Sequence, residues 1–378
     1  LIPQAAQRIS AIDTLRGLVM ALMLVDHVRE FFYLHQQVSD PMDLGSVDPA
    51  LFFTRLASHW CAPIFVFLTG LGAWCYGQKF ADPRPATSVY LLKRGLFLVL
   101  LELTLINFAW TFSWPPRIIY LQVIWAIGLS MLALALLLWL PRLWQFVLGI
   151  AIIAGHHLFD GLHLNPGDTG QVLWAILHDR SLIELFGLQA RTSYPALPWF
   201  GVILLGYAAG PLYARSASPE LRRRWLLPAG LGALLLFLLL RALDVYGEHP
   251  RQPADTLLGQ LMSWLNLTKY PPSLLFLLLT LGTGLLLLVR LERRPLPRFW
   301  SDLGRVPMFF YVLHLYLLHG LYLLCLQIWG PNQGSRYGFE QVWPIWLTAA
   351  LVLLAVYPLC HSFAAYKRQH QGGWRSYF

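Results

Sequence analysis

The chain has 378 residues, 57% of them hydrophobic and only 12% charged, with a formal net charge of +9. Soluble globular domains carry about 25% charged residues, so this composition excludes an ordinary water-facing globule. The Lys and Arg fall in short groups between apolar runs, which argues for membrane topology and against a nucleic-acid partner.

In chain order, the apolar runs predict about ten membrane-spanning helices of roughly 18–25 residues each. They lie near 11–34, 60–78, 89–112, 118–140, 142–160, 196–214, 224–245, 272–290, 305–329 and 342–366. The expected fold class is therefore all-α, a polytopic integral membrane protein, with residues 1–378 as a single transmembrane domain. The segments between spans are too short for a second core. No internal repeat of the inverted-transporter kind stands out. Most of the 28 Lys and Arg fall on the side that holds both ends of the chain. The positive-inside rule then places both termini in the cytoplasm, with 35–59 toward the outer face. The first apolar run is too long and too charged for a cleaved signal peptide.

That first run, AIDTLRGLVMALMLVDHVREFFYL over 11–34, carries Asp13, Arg16, Asp26, His27, Arg29 and Glu30. Ionisable groups inside a span are expensive and need a reason. Arg16 and His27 are eleven residues apart, about three helical turns, so they share a face at a separation of roughly 16 Å. Asp13 also suits a plain helix-start cap, and Arg16 a headgroup contact. His27 is the candidate base, and Asp26 can orient its ring. Arg29 and Glu30 beside it are candidates for substrate contact.

Downstream, His59 sits where the second span is expected to begin, at its outer mouth. Glu102 lies roughly 14 Å deeper than Lys93 in the third span. An unpaired carboxylate there must neutralise itself or find a cation. Lys93 and Arg94, with Arg16 and Arg305, are cations that could receive a polyanion at the cytoplasmic edge. Tyr194-Pro195 and Tyr270-Pro271 introduce two spans from the outer side, where Tyr rings can wall a cleft or sit in an aromatic belt.

His314 and His319 share the ninth span but diverge by roughly 140°, as do neighbours His156 and His157 by about 100°. No metal is expected. Cys61, Cys75, Cys325 and Cys360 fall in apolar segments without zinc-ligand spacing. His35 and Asp40 match an H-x4-D acyltransferase pattern that chance readily produces. No G-x-S-x-G elbow, phosphate loop or dinucleotide fingerprint is present.

The run IDTLRG, eight residues, DHVREFF, then SHWCAPIFVFLTG, resembles the membrane acetyltransferases related to heparan-alpha-glucosaminide N-acetyltransferase. KRGLFLVLLELTLINFAW, YPALPWFGVILLGYAAG, KYPPSLLFLLLTLG and GRVPMFFYVLHLYLLH fit its bacterial branch. A wider similarity to the membrane proteins that O-acylate bacterial polysaccharides rests on D-x-LR followed by a His eleven residues after the Arg, here His27. The resemblance implies an acyl-CoA-dependent transmembrane acyltransferase in a bacterial cytoplasmic membrane. Acetyl-CoA would be the cytosolic co-substrate, and the acceptor a hydroxyl or amine of a sugar or glycan on the outer side.

In the lysosomal enzyme the position matching His27 is Asn and a later His is essential, so the base role stays open between His27 and His59. For such a reaction Arg16, Lys93, Arg94 and Arg305 are the cations available to the coenzyme A phosphates, although each also fits the positive-inside topology. Arg29, Glu30, Tyr194, Tyr270 and His314 would face the acceptor. Membrane lipids are the expected surroundings, and a homo-oligomer is left open. The competing reading is a proton-coupled transporter or exporter of a small metabolite or glycan that uses the same buried Asp, His and Glu.

Overall fold

A computed structural model of the chain describes residues 10–32, 42, 44–185 and 187–370. Among these residues the chain forms α1 (Ser10–Phe32), α2 (Pro49–Ala57), α3 (Cys61–Gly77), α4 (Pro83–Leu101) and α5 (Asn107–Thr111). There follow α6 (Val123–Leu137), α7 (Arg142–Gly155), α8 (Gln171–Leu177), α9 (Leu197–Ala208) and α10 (Pro219–Leu243). The last are α11 (Leu257–Leu265), α12 (Leu274–Arg293), α13 (Arg298–Leu303), α14 (Pro307–Trp329) and α15 (Trp343–Gln369).

Their starts follow from local chemistry. Ser218 caps α10 by accepting from Leu221 N at 3.2 Å, with Pro219 in the first turn. Ser273 caps α12 from Phe276 N at 3.0 Å, and Asp48 caps α2 from Ala50 N at 2.7 Å. Each cap satisfies a backbone donor that the helix cannot.

Among the described residues six helical runs are long and apolar enough to cross a bilayer: Pro49–Gly77, Arg142–Phe159, Pro219–Leu243, Leu274–Arg293, Pro307–Trp329 and Trp343–Gln369. Val123–Leu137 and Leu197–Ala208 are apolar but shorter. The protein is thus a helical integral membrane protein. A helix overlies each of the ten expected spans, but the six long ones alone do not establish ten crossings.

The burial pattern is that of a lipid-embedded bundle. Leu231, Leu235, Leu238 and Leu239 of α10 stand exposed, as do Leu347, Leu351 and Leu354 of α15, whereas Asp26, His27, Arg29 and Glu102 are buried. Water could not tolerate the first set, nor lipid the second.

Helix α1 is the central element, packed against α3, α12, α13, α14 and α15. Lipid supplies no hydrophobic drive between helices, so close packing and polar links must hold them. Gly17 and Gly304 provide that closeness. A Cβ on Gly17 would sit 2.0 Å from the Trp300 carbonyl oxygen, and one on Gly304 would sit 1.9 Å from that of Asp13. Arg241, 1% exposed on α10, donates to the carbonyls of His249, Ser263, Trp264 and Asn266 at 2.6–3.1 Å.

Three expectations need correction. The fourth span does not begin at 118: Ile118–Leu121 is a strand, β1, and its helix starts at Val123. β1 pairs in parallel with β3 (Leu188–Thr192), and β2 (Leu182–Leu185) pairs antiparallel with β3. The three strands form a small sheet over Trp125 and Ala175. The second span does not start at 60, because the helical run begins at Pro49 and passes through a tighter turn at Ser58–Trp60. His59 accordingly lies inside that run at 1% exposure, and not at a wet mouth. The pattern His35 to Asp40 lies outside the described residues.

Candidate functional site

Two histidines from opposite ends of the chain meet at the centre. His27 Nδ1 lies 2.7 Å from His314 Nε2, and the ring planes are within 13° of each other with centroids 5.0 Å apart. His314 Nδ1 lies 2.6 Å from the carbonyl oxygen of Phe310, one turn earlier on α14. A carbonyl only accepts, so the His314 proton is on Nδ1 and its Nε2 carries a lone pair. His27 therefore donates from Nδ1, which leaves His27 Nε2 unprotonated. That atom makes no hydrogen bond among the described residues. Trp110 and Tyr311 stand edge-on to the His27 ring, at 5.1 Å and 5.7 Å. Among the described residues the Trp110 N–H and the Tyr311 hydroxyl are both buried without a hydrogen-bond partner. His314 is fully buried, while His27 keeps 9% of its surface. A neutral imidazole with one nitrogen fixed and the other open can take a proton from a hydroxyl or amine.

Asp26 does not orient this ring; its oxygens accept from Arg29 Nε at 3.1 Å and Arg55 NH1 at 2.6 Å. Arg29 also bonds Glu30. Arg55 reaches on to Ser58 Oγ and to the Tyr270 hydroxyl, each at 3.3 Å, and Tyr270 donates to Tyr194 Oη at 3.1 Å. The two tyrosines named from sequence thus meet, joined to Asp26 through an arginine that the sequence reading did not single out.

Arg55, Arg180 and Lys269 all lie over the Tyr270 ring, with Arg180 at 5.0 Å and Lys269 at 5.5 Å. Burial opposes ionisation of the Tyr270 hydroxyl, but the field of Lys269 and Arg55 outweighs it and lowers its pKa. Burial raises the Tyr194 pKa well above the ordinary phenol range.

His59 packs on Phe276, and its Nδ1 is buried without a hydrogen-bond partner. Glu102 faces neither imidazole. Its Oε2 accepts from Trp125 N at 2.9 Å, in the first turn of α6, where the helix dipole favours an anion. It sits at the start of a widened π turn, Glu102–Ile106, a local irregularity that frequently accompanies function. Its Oε1 is buried and unpartnered.

At the other end of α1, Arg16 donates to Asp13 Oδ1 and the Gly304 carbonyl, both at 3.2 Å. Arg305 donates to Asp302 Oδ1 at 2.6 Å and lies 3.8 Å from Asp13 Oδ2. His361 Nδ1 is 3.2 Å from Asp302 Oδ2. Arg16 and Arg305 thus share one cluster, in which both are held by carboxylates. Lys93 is exposed on α4 and Arg94 beside it is half-buried.

The sequence reading missed Arg55, Lys269 and Trp110. The only available signal was a charge inside an apolar stretch, as in Leu51–Leu56, where Arg55 stands alone.

The site is therefore a paired, partly open imidazole inside a membrane-embedded helical bundle, with cation clusters toward each end of α1. The family model for "Heparan-alpha-glucosaminide N-acetyltransferase, catalytic" matches residues 8–250. The chain belongs to that family, an N-acetyltransferase family. A comparison with curated proteins gives no match. The match covers Asp26, His27, Arg55, His59 and Glu102 but stops before Lys269, Tyr270 and His314.

Proposed function

We propose that the protein is an acyl-CoA-dependent transmembrane acetyltransferase, with residues 1–378 forming one catalytic membrane domain. Acetyl-CoA approaches from the Arg16 end of α1, and the acceptor is a hydroxyl or amine of a sugar or glycan at the Tyr270 end. With both termini in the cytoplasm of a bacterial inner membrane, the donor is cytosolic and the acceptor lies outside. The observation that carries this reading is the His27–His314 pair, read together with the family.

His27 Nε2 takes the acceptor proton as the acceptor oxygen or nitrogen attacks the thioester carbonyl. The carbon–sulfur bond then breaks, and the proton passes from His27 to the departing thiolate. While His27 is protonated, its Nδ1 proton can shift onto His314 Nε2, and the Phe310 carbonyl supports the charge there. Asp26 holds Arg29 and Arg55 against the acceptor side, where Glu30, Tyr194 and Tyr270 complete the wall. His59 is the second candidate base, and Glu102 holds α6 under the site. Arg16 and Arg305, together with Lys93 and Arg94 of α4, receive the coenzyme A phosphates, at the first two in competition with Asp13 and Asp302. The transfer step calls for no metal. Membrane lipids surround the bundle, and the oligomeric state does not enter the chemistry.

Family membership favours this reading over proton-coupled transport. The deciding experiment uses purified protein in proteoliposomes, with labelled acetyl-CoA on one side and glucosamine-terminated acceptors on the other. Acetyl transfer that His27→Ala abolishes, with folding intact, supports the proposal. No transfer and no stabilisation by acetyl-CoA, with solute flux that follows a pH gradient, overturns it.

A further inference from the structure

A second histidine cluster lies apart from His27, and no step above uses it. At His156 the α7 helix tightens into a turn through Phe159, which brings the rings of neighbours His156 and His157 to 4.1 Å. His178, just after α8, places Nε2 at 3.3 Å from His156 Nδ1 and 3.4 Å from Asp160 Oδ1. Tetrahedral ligands on metal–nitrogen bonds of about 2.0–2.1 Å stand about 3.3–3.4 Å from one another. Both measured edges therefore already have the length that an ion would impose.

The bonds around the cluster decide which nitrogens face inward. His156 Nε2 lies 3.1 Å from the Pro272 carbonyl and must donate to it, which leaves Nδ1 with a lone pair. His157 Nε2 accepts from Leu274 N at 2.8 Å, so its proton is on Nδ1, where it is donated to Asp160 Oδ2 at 2.8 Å. His157 is thereby excluded as a ligand and holds the carboxylate by its far oxygen, as outer-shell partners of metal sites do. The His178 Nε2 proton is shared between His156 Nδ1 and the His156 carbonyl at 2.9 Å; a cation would take the place of that proton. His156 and His178 are buried, and Asp160 is exposed and opens the cluster to solvent.

We propose that His156 Nδ1, His178 Nε2 and Asp160 Oδ1 bind one divalent transition-metal ion of the zinc class, with water as fourth ligand and His157 as the positioning residue. Two imidazoles and one carboxylate suit zinc, not calcium or magnesium. The ion fastens the end of α7 and the segment after α8 to Pro272–Leu274, the segment that follows Lys269 and Tyr270. Its role is to fix the wall on which Tyr270 is mounted.

The test uses full-length protein without a histidine tag, stripped with chelator and dialysed against Zn2+ or Co2+. Metal content is measured by mass spectrometry, geometry by Co2+ absorption and stability by thermal unfolding. One tightly held equivalent, a tetrahedral Co2+ spectrum and a raised Tm are expected. Asp160→Asn and His178→Gln should each weaken binding by at least about tenfold, while Asp179→Asn, next in sequence and paired with exposed His163, should not. Failure of the wild type to retain metal overturns the proposal. So does equal metal in the Asp160→Asn/His178→Gln double variant, which would assign it to surface histidines. Because Asp160 is exposed, its variant decides the question even if His178→Gln fails to fold.

Discussion

His27 and His314 are 287 positions apart in the chain and 2.7 Å apart in space. The Phe310 carbonyl sets the tautomer of His314, and His314 in turn sets that of His27. The pair is thus one hydrogen-bonded chain that ends at His27 Nε2.

Removing that terminus and removing its support should have different effects. His27→Ala should lower kcat of acetyl transfer by about 10²–10⁴-fold, the usual range for a general base. His314→Gln retains a side-chain acceptor and should lower kcat less, with KM for acetyl-CoA unchanged and the acid limb of the pH–rate profile displaced. Steady-state kinetics across pH checks both. An unaltered profile in His314→Gln would reduce His314 to packing.

The Asp26–Arg55 pair is buried, with each side chain about a tenth exposed. Breaking such a pair typically costs about 3–5 kcal/mol, because the surviving charge is stranded. Arg55→Met and Asp26→Asn should each lower thermal stability in detergent markedly. The double variant should recover part of the loss, which a double-mutant cycle by thermal unfolding would measure.

Close approach of α1 and α13 gives a steric prediction. Gly304→Ala would place a methyl group 1.9 Å from the Asp13 carbonyl oxygen, whereas a Cβ on Gly320 meets nothing within 4 Å. Gly304→Ala should cost about 1–3 kcal/mol or more and disturb the Arg16–Arg305 cluster, while Gly320→Ala should be neutral. Chemical unfolding and the yield of monodisperse protein distinguish the two.

Tyr194 offers a test by alkaline pH. Burial raises its hydroxyl well above the ordinary phenol range, so folding favours the neutral form. That contribution is complete below about pH 10, the unfolded value, and is lost as pH rises from there toward the raised folded pKa. Between pH 9 and 11 the Tm of the wild type should fall more steeply than that of Tyr194→Phe. Parallel curves would contradict the assignment.

The sequence showed the chain to be a membrane protein and placed each expected span on a helix, while α2, α8, α11 and α13 went unpredicted. An apolar run long enough to cross a bilayer is a local property, legible without knowing its neighbours. α1 could be named as the chemical element for the same reason, since Asp26 and His27 in a span are anomalous wherever they face. The errors were of the opposite kind. Ile118–Leu121 is apolar enough to pass for helix, and only pairing with Leu188–Thr192 makes it a strand. His59 resembled a mouth residue because Thr54 and Arg55 interrupt the apolar run of Pro49–Ala57 that precedes it.

Composition and periodicity thus determined the solvent, the helices and the family resemblance, because each is set by residues close together in the chain. Tertiary structure alone decided that His314 and not Asp26 holds the His27 ring, that Arg55 takes Asp26, and that His178 joins His156. A hydrogen bond forms between side chains whose atoms come within about 3 Å. Which side chains those are depends on how distant helices pack, and no local pattern records it.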